Sequence, residues 1–528
     1  MNQQNQNAER DIRLKMLNGF LSCPHRDTDQ LKAAHLEVQQ ADPEFYAHLA
    51  AWYFMNGDIR DHKEVFIGSL ACDPYLENRE VGLALLRQVP VFLKRKVVGF
   101  IKGKKIKLRE KTGKKIKRGK KMVDEVNITE KNVGLHKNVP TSFKRDIRDY
   151  LKWLEEDNDR FDSVALKNAN DLKGLYATFK IPHSDRVQEI LFKKKYPKDS
   201  KLTVFEEITK AKTPEVAAKL IVENKIPYTI AVGLVDKITP SILVALINAM
   251  SPQEVINNIA SLEERGAMDN PDTKKLVDAK LEKAKTSKGV SALKSKTAQK
   301  TGRIKNEETA KKLDEIADVQ IKKSGAITAS TAVFVDKSGS MVRCIEVGKN
   351  VSAMISGATE ASLTVVAFDT IAREVKATEM TLTGWEKAFH PIRAHGGTSI
   401  GIALHYLIHK NTIVEQIVII TDEDENNSPR FVDMYKEYVA KFNVKPQIVI
   451  LRINEGYQLN PRLSQSLTQA NVEFDLYEPQ GGDYYGLPGL ITLLSRKSNL
   501  DLLYEIMDTP LPVRKAFKGK KKEECVVA

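Results

Sequence analysis

Cysteine is scarce in this sequence. The 528 residues include four cysteines, which lie far apart in the chain: Cys23, Cys72, Cys344 and Cys525. They form no C-x-x-C pair, and this argues against both a structural zinc site and a disulfide framework. So few scattered thiols are typical of a reducing compartment, and we expect a cytoplasmic protein.

Long apolar stretches are missing as well. No uninterrupted apolar run approaches the roughly 18 residues that a membrane-spanning helix needs. The chain starts MNQQNQNAERD, which is polar and unlike a secretory signal. We therefore expect no membrane span and no secretion. Hydrophobic residues still make up 42% of the chain, enough at this length for two or three domains with sizeable cores.

The excess of positive over negative charge in this chain is confined to two segments. The net charge is +14, but residues 94–121 alone carry fifteen Lys or Arg against one Glu. Residues 280–305 carry nine against one, so the rest of the chain is net negative by 8. Basic charge concentrated in this way is typical of a polyanion-binding surface. The alternative is that both segments are solvated loops without a specific partner.

The first 290 residues or so have the pattern of consecutive helices. Apolar residues recur at three- and four-residue spacing in PEFYAHLAAWYFMNGD and ENREVGLALLRQVPVFLKR. A capping hydroxyl followed by proline predicts three helix starts: Thr213 and Pro214, Thr239 and Pro240, and Ser251 and Pro252. Short helices with short connections predict antiparallel pairs stacked in a HEAT-like solenoid, although no exact repeat is present.

Two stretches interrupt the helical pattern. Residues 102–141 are rich in Gly and Lys, and we interpret them as a mobile or hairpin-like insertion that is poorly ordered without a ligand. Residues 284–306 form a second stretch of low hydrophobicity, at or near the boundary to the next domain.

From about residue 327 the sequence period changes to that of an α/β domain. The apolar strands TAVFVD, SLTVVAFD, EQIVIITDED and KPQIVILRI alternate with helical stretches. This alternation predicts a doubly wound, mostly parallel, Rossmann-like sheet, in which ligands bind at the carboxyl ends of the strands. Asp336 and Asp422 both follow such strand ends.

Oxygen-bearing side chains cluster around these strand ends in the sequence. VDKSGSM places two serines after the first aspartate, and HGGTS places a threonine on a glycine-rich loop before a helix. If the two strands are neighbours, the candidate ligands converge on one point: Asp336, Ser338, Ser340, Thr398 and Asp422. Two carboxylates and three hydroxyls suit Mg²⁺ or another hard divalent cation. The alternative is a serine-rich turn that caps the next helix.

In these motifs the chain resembles the von Willebrand factor A domains. The order DxSxS, Gly-Gly-Thr and a strand-terminal Asp is that of their metal-ion-dependent adhesion site (MIDAS). The resemblance implies that Ser338, Ser340 and Thr398 contact the metal directly, while the aspartates act partly through water. It also implies a coordination position that is open to an acidic group from a partner.

Signs of catalysis are lacking. The sequence has no P-loop and no nucleophile elbow, and neither Ser338 nor Ser340 is paired with a base. His395 lies nearby in sequence, but a single histidine beside a glycine loop is more typical of a structural or surface residue. We therefore expect that the protein is not an enzyme, since a metal-dependent hydrolase would need a base or nucleophile.

Helical repeats followed by an A domain resemble the TROVE module and A domain of the Ro autoantigen family, in particular its bacterial members. The similar stretches are residues 51–90, 142–176 and 224–266. The resemblance implies an all-α ring of HEAT-like repeats closed by the A domain. It also implies that single-stranded 3′ ends of misfolded noncoding RNAs enter the ring, while Y-like RNAs bind its outer surface. We predict domains at 1–325 and 326–510 and a basic disordered tail at 511–528.

Basic residues at helical spacing are the candidates for phosphate contacts. We predict RNA binding by Lys94, Arg95, Lys96, Lys104, Lys105, Lys114, Lys115, Lys117, Arg118, Lys144, Arg145, Arg148, Lys152, Arg160, Lys167, Lys173 and His183. The alternative for the helical ones is an ordinary solvated face, neutralised by Asp146, Asp149, Glu155 and Glu156. Family members carry a histidine in a Ser-His-Leu-Lys-Pro run, where this chain has YATFKIPHS with His183 displaced. The lysine-rich insertion is a candidate substitute for that contact.

Two further features have a plain interpretation. The aromatic cluster of Phe45, Tyr46, Trp52, Tyr53 and Phe54 has core spacing, whereas Trp385 and the tyrosines at 484 and 485 are expected in exposed loops. The final residues CVVA match a prenylation signal at Cys525, but an ordinary basic tail is the better interpretation.

The function predicted from the sequence is RNA binding without catalysis, in RNA quality control or as an adaptor that presents RNA to an exoribonuclease. We expect noncoding RNA as the partner, no DNA, no membrane, and a monomeric ring. The alternative is a magnesium-dependent protein adaptor that binds an acidic partner through the A domain.

Overall fold

The structure is a computed structural model. It describes residues 28–57, 60–118, 121–235, 237–287, 290, 295, 298, 304, 306–322, 326–339, 341–453, 460–477, 490–491, 494–495 and 499–517. The chain groups into two compact units. The N-terminal unit comprises His25–Glu206 together with Ile506–Val527, and the C-terminal unit comprises Glu207–Glu505. The predicted domain limits at residues 325 and 510 are a different division of the chain and stay predictions.

The N-terminal unit is built of helices interrupted by one ribbon. The helices are α1 (Thr28–Ala41), α2 (Pro43–Asn56), α3 (Arg60–Ala71), α4 (Leu76–Gln88), α5 (Val91–Lys102), α6 (Thr141–Glu155), α7 (Asn158–Phe179) and α8 (Asp185–Val187), the last continuing into a π-helical turn, Gln188–Lys193. Helices close in sequence pack on each other, α3 against α4 and α5, and α6 against α7. The predicted succession of stacked helices is confirmed.

The aromatic side chains of α2 form the centre of this unit. Phe45, Tyr46, Trp52 and Tyr53 are buried, as their helical spacing predicted, whereas Phe54 is only half-buried. Burying large apolar side chains is the main favourable term in folding, since it removes their surface from water. These residues are therefore part of the core and are not available to stack on a ligand.

The lysine-rich insertion is a two-stranded antiparallel ribbon. Its strands are β1 (Lys104–Arg118) and β2 (Lys121–Val133), and they pair from Lys104 opposite Val133 onward. A glycine is needed at the base of the ribbon, because a Cβ on Gly134 would lie 2.3 Å from the carbonyl oxygen of Phe100. Of the two predicted alternatives, the hairpin is confirmed.

The C-terminal unit starts with a second series of helices: α9 (Val204–Thr209, which spans the border of the units), α10 (Pro214–Glu223), α11 (Tyr228–Leu234), α12 (Pro240–Ala249), α13 (Pro252–Glu264), α14 (Pro271–Thr286) and α15 (Glu307–Lys322). The three predicted caps are confirmed. The side-chain oxygens of Thr213, Thr239 and Ser251 each accept a backbone N–H of the first turn, and a proline follows each of them. None of the helices in the described ranges is long and apolar enough to cross a membrane.

A six-stranded sheet follows these helices. Its elements are β3 (Thr331–Asp336), α16 (Val342–Ala358), β4 (Leu363–Phe368), β5 (Ala372–Glu374), α17 (Leu382–Phe389), α18 (Gly401–Lys410), β6 (Gln416–Thr421), α19 (Phe431–Phe442), β7 (Gln447–Arg452), α20 (Arg462–Gln469), β8 (Asp475–Tyr477) and α21 (Asn499–Asp508). The strand order is β5-β4-β3-β6-β7-β8, and β5 alone is antiparallel to its neighbour. The predicted α/β fold is confirmed.

Side chains that alternate along β3 pack on opposite faces of the sheet. Phe334 belongs to a buried cluster with Leu404 of α18 and Tyr438 of α19. Val335 faces the other way, onto α16, where a Cβ on Gly348 would come within 2.4 Å of it. Covering helices on both faces explain why the strand is fully buried and reads as a continuous apolar run.

One aromatic prediction was wrong. Trp385 is in helix α17 and is buried, whereas we expected an exposed loop residue. Its indole N–H donates to the Ser356 hydroxyl at 2.9 Å, so burial leaves no polar atom unsatisfied. Tyr484 and Tyr485 lie outside the described residues.

The end of the described chain packs on helices α2, α4 and α6 of its own N-terminal unit, where we predicted a disordered tail. Residues 509–517, called the strap below, run without regular secondary structure from α21. Arg514 forms ion pairs with Glu80 and Asp146 at 3.0 and 3.3 Å, and His48 Nδ1 lies 2.9 Å from the Thr509 carbonyl oxygen. These partners come from distant parts of the sequence, and local composition therefore gives no sign of them. Residues 518–528, with Cys525, lie outside the described residues.

Candidate functional site

The predicted metal ligands follow two strands that are neighbours in the sheet. β3 and β6 pair in parallel, with Thr331 opposite Gln416 and Val335 opposite Ile420. Asp336 ends the first strand, and Asp422 follows the end of the second. The two carboxylates therefore lie at the same edge of the sheet, as the sequence predicted.

Asp336 is the most buried of the candidate ligands that the structure describes. Its Oδ1 accepts the Ser338 backbone N–H at 2.9 Å, and its Oδ2 accepts the Thr421 hydroxyl at 2.7 Å. Burial raises the pKa of Asp336 to about 6, and the charge of Asp422 contributes in the same direction. The Asp336 carboxylate is therefore shielded from water and lies close enough to Asp422 to be affected by its charge.

Backbone hydrogen bonds join the loop after β3 to the glycine-rich loop. The Gly339 N–H donates to the Gly396 carbonyl at 3.0 Å, and the His395 N–H donates to the Lys337 carbonyl at 2.7 Å. Gly396 has a φ of 82°, a left-handed conformation that favours glycine. The histidine therefore contributes its backbone here, in agreement with a structural interpretation.

The glycine-rich loop is joined in turn to the loop after β6. The Thr398 N–H donates to the Asn426 side-chain oxygen at 2.9 Å, and the Thr398 carbonyl accepts the Asn427 N–H at 2.8 Å. Three loops from distant positions in the sequence are thereby fixed to each other. Ser338 and Thr398 are both 4% exposed, so both residues are almost fully shielded from solvent.

The donor set at this edge consists of hard oxygens. Asp422 is half-buried, and burial raises its pKa. Ser340 lies outside the described residues. Across the ranges that the structure describes, no group of three or more His, Cys, Asp or Glu side chains comes together to hold a metal ion. A cation at this edge would need hydroxyl ligands in addition to the two carboxylates, and this is the composition that the sequence predicted.

Two ion pairs support these loops and were not foreseen. Lys337 pairs with the buried Asp369, whose backbone carbonyl accepts the Ser399 N–H at 2.9 Å. Glu423 pairs with Arg452 and is fully buried. The four consecutive acidic residues after β6 could have indicated that one of them forms a buried ion pair. The sequence does not show which of the four carboxylates faces inward.

Glu425 organises the start of α18 and was also missed. Its buried Oε1 accepts the backbone N–H groups of Ile400, Gly401 and Phe431 at 2.8, 3.0 and 2.9 Å. Burial raises its pKa to about 7. This carboxylate ties the loop after β6 to the helix that follows Thr398.

We expect Glu425→Ala to lower the free energy of unfolding of the C-terminal unit by about 3 kcal/mol, because it leaves buried N–H groups without an acceptor. Urea denaturation followed by circular dichroism measures the change. Glu437→Ala, at an exposed position of α19, is the matched control and should change stability by less than about 0.5 kcal/mol. Equal effects of the two substitutions would contradict the role given to Glu425.

The predicted RNA-binding residues differ widely in exposure. Lys96, Lys105, Lys144, Arg145, Arg148, Lys152 and Lys167 are exposed. Lys96 and Lys105 have acidic neighbours, Asp61 at 3.9 Å and Glu130 at 3.7 Å. Lys114, Lys115, Lys117 and Arg118 belong to β1 of the ribbon, and their side chains lie outside the described residues.

Lys94 is not available to RNA. It is 1% exposed, and its Nζ donates to the carbonyl groups of Leu86 and Val89. Burial lowers its pKa to about 7. The side chain stabilises the end of α4, and its prediction as a phosphate contact was wrong.

Five other candidates are engaged within the protein, and one of them is Arg160, which pairs with Asp157 at 3.4 Å. Arg95 lies against Gly174, and Lys104 pairs with the buried Glu64 at 3.1 Å. Lys173 lies 5.3 Å from the centroid of the Phe192 ring, and His183 stacks on the same ring at 5.1 Å. The displaced histidine thus has a packing partner within the chain.

The exposed residues of α6 form a basic stripe, defined here as Lys144, Arg145, Arg148 and Lys152. The opposite face of the helix is buried through Phe143, Ile147, Leu151 and Leu154. Within the described part of the chain, no acidic side chain forms an ion pair with any residue of the basic stripe.

Two of the acidic residues expected to neutralise the basic stripe bind elsewhere. Asp146 is buried and pairs with Arg87 at 2.7 Å. Glu155 accepts the Tyr176 hydroxyl at 2.6 Å and the Ser184 N–H at 2.9 Å. The other two, Asp149 and Glu156, are exposed but form no ion pair with the basic stripe in the described part of the chain, so its four cations face solvent unpaired.

The structure and sequence of the chain can be compared with those of known proteins. No family model and no curated protein sequence matches the chain. Among solved structures, it is similar to the RO (RSR) protein of Deinococcus radiodurans, with a TM-score of 0.56 and 14% identity over 87% of this chain and 92% of that one. Two further matches have TM-scores of 0.26 and cover 32% of this chain. They are a von Willebrand factor type A protein from Catenulispora acidiphila, with 16% identity over 43% of its length, and proximal thread matrix protein 1 of the mussel byssus, with 14% over 49%.

The similarity to the RO protein extends over both the helical series and the sheet. The order of the parts is the one that the sequence predicted: stacked helices, then a parallel sheet with polar loops at its carboxyl edge. The resemblance drawn from the sequence is thus confirmed at the level of the fold: the chain has the fold of the RO protein, a series of helices followed by a mostly parallel α/β sheet.

Proposed function

We propose that the protein binds noncoding RNA through the N-terminal unit and catalyses no reaction itself. The observation that carries the proposal is the basic stripe of α6, four cationic side chains on one exposed face with no acidic partner among the described residues. The similarity to the RO protein supports the same proposal, because the sequence also resembles a family of RNA-binding proteins.

Electrostatics gives the physical basis of this binding. Lys and Arg side chains that neutralise phosphates release condensed counterions, and this supplies affinity for RNA of any sequence. The ribbon places a second lysine-rich segment in the same unit, and we propose that it acts as an additional RNA-binding arm. Both elements bind backbone phosphates, so the shape of the RNA decides which molecules bind.

The finer proposal concerns the RNA that is selected. We infer that the ligands are structured or misfolded noncoding RNAs with single-stranded 3′ ends, together with Y-like RNAs on the basic surface. A protein of this kind presents a bound RNA to an exoribonuclease supplied by another chain. We propose that it does so as a cytoplasmic monomer.

Two RNAs test this proposal at one fixed salt concentration. One is a duplex with a single-stranded 3′ tail, and the other is the same duplex with blunt ends. We expect the tailed RNA to bind at least tenfold more tightly to the purified protein in a filter-binding titration. Equal affinities would limit the function to electrostatic attraction, and binding of neither RNA would contradict it.

The sheet edge with Asp336 is proposed as a magnesium site. Ser338, Ser340, Thr398 and the two aspartates supply oxygen ligands of the type that Mg²⁺ prefers. The fit rests on the buried carboxylate: its hydrogen bonds come from neutral groups, and its pKa is raised. A divalent cation would compensate the charge that these two aspartates carry when ionised.

A second function is favoured by the same edge. Three loops held rigidly around hard oxygen ligands are suited to gripping an acidic group of a protein partner through the metal. Salt separates the two functions: RNA affinity should fall steeply between 50 and 200 mM salt. A metal-bridged protein complex should respond chiefly to EDTA.

A further inference from the structure

The strap packs on helix α6 through Asp146, Tyr150 and Trp153, on a different face of the helix from the basic stripe. It is anchored by Arg514, which pairs with Glu80 and Asp146, and its Lys515 carbonyl accepts a hydrogen bond from Arg87. Asp146 belongs to α6, the helix that carries the basic stripe. The strap therefore reaches the helix that we propose as the RNA contact.

Phe517 ends the described part of the strap on an aromatic surface. Its ring stacks on Trp153 with a centroid distance of 5.7 Å and an interplanar angle of 27°. The Tyr150 ring lies 5.7 Å away, and the guanidinium of Arg87 lies 4.6 Å from the ring centroid. A flat ring is thus enclosed by two aromatic side chains and one cation.

Two features of this surface are not explained by the packing of Phe517. The Trp153 indole N–H is buried and has no hydrogen-bond partner in the structure, although such donors are nearly always satisfied. The guanidinium of Arg160 also lies 4.1 Å from the centroid of the Trp153 ring. The phenyl ring of Phe517 leaves this donor unsatisfied, and a cation contacts the same Trp153 ring.

The geometry points to a further binding site. We propose that Tyr150, Trp153 and Arg87 form a stacking site for an unpaired nucleobase of RNA, and that Phe517 occupies this site when RNA is absent. The inference rests on the proposed RNA-binding function and adds a place for a base to it.

The chemistry favours exchange of the phenyl ring for a base. Aromatic side chains and Arg guanidinium groups stack on bases of any sequence, because every base has a π-face. A base that enters the site is joined to phosphates, which the excess of Lys and Arg side chains in this unit attracts over a longer range. Phe517 carries no phosphate and gains nothing from this attraction. The strap therefore competes with single-stranded RNA and does not affect a duplex, whose bases are stacked internally.

Anisotropy titrations of a fluorescein-labelled ten-nucleotide oligouridylate test the proposal at fixed salt. We expect Phe517→Ala to raise the affinity about threefold to tenfold, and Phe517→Leu, which keeps apolar packing without the flat ring, to give a smaller rise. Trp153→Leu added to Phe517→Ala should abolish the gain. The matched control is Val513→Ala, because Val513 is 78% exposed on the same strap.

Two further measurements separate the possible outcomes. Affinity for a blunt duplex should be equal in all these variants, which also shows that the basic stripe is intact. Tryptophan fluorescence should be quenched by the oligonucleotide in Phe517→Ala, since Trp52 and Trp385 are buried at 3% and 2% exposure. Unchanged or lower oligonucleotide affinity in both Phe517 variants, with normal duplex binding, would overturn this inference alone. Failure of the wild type and every variant to bind any RNA would overturn the proposed function and this inference with it.

Discussion

Replacing all four residues of the basic stripe with glutamine is expected to lower the affinity for tailed RNA on the order of a hundredfold at 0.15 M salt. Each phosphate contact to a single strand contributes about 0.7 to the slope of log K against log salt. Four lost contacts therefore remove close to 3 from that slope, and the slope itself is the diagnostic quantity. Filter binding at four or five salt concentrations between 50 and 300 mM measures both values.

A control for net charge is needed, because the substitution removes four positive charges from a basic protein. Lys212, Lys219, Lys225 and Lys275 are exposed on the C-terminal unit, and their replacement with glutamine makes the same change in net charge. We expect this variant to lose less than threefold in affinity and to keep the wild-type slope. Equal losses in both variants would mean that RNA responds to total charge and that α6 is not the binding surface.

The second large effect concerns the proposed magnesium site. A ligand at one hundred times its Kd stabilises the folded state by about 2.7 kcal/mol. For a unit of this size, that corresponds to a rise in Tm of about 4 °C. We expect MgCl₂ to produce such a rise relative to EDTA in the wild type and none in Asp336→Ala. Differential scanning calorimetry measures it.

Comparison within each variant matters here, because Asp336→Ala also leaves the Thr421 hydroxyl and the Ser338 N–H without their acceptor. The difference between MgCl₂ and EDTA isolates the cation from that structural cost. Asp433→Ala removes an exposed carboxylate of α19 and should keep the full shift. A shift that persists in Asp336→Ala, or one that is absent from the wild type, would contradict the assignment.

The candidate metal site could be predicted from the sequence because its chemistry follows from strand ends. Apolar runs that stop at Asp336 and Asp422 place both carboxylates at one edge once the strands are parallel neighbours. What the sequence did not reveal is how the loops are held. Lys337 with Asp369, and Glu425 with the start of α18, join segments that are more than twenty residues apart.

The basic residues show where a charge pattern is insufficient. Lys94 and Lys144 both lie on helices and both carry one positive charge, yet one is buried and the other exposed. Lys94 lies three and four residues before Val97 and Val98, which are on the buried face of α5. This spacing indicates that Lys94 is buried. The long run of basic residues around Lys94 led us to expect an exposed side chain instead.

By itself, the sequence determined the helical series, the parallel sheet and the positions of the polar strand-end loops, because periodicity, capping residues and strand-terminal oxygens are local properties. Tertiary structure alone decided which cations face solvent, which acids are already paired, and that the strap returns to α6 with Phe517 on Trp153. These outcomes depend on contacts between residues up to several hundred positions apart. Burial and pairing are set by whichever surface the folded chain brings against a side chain, and local composition contains no record of that surface.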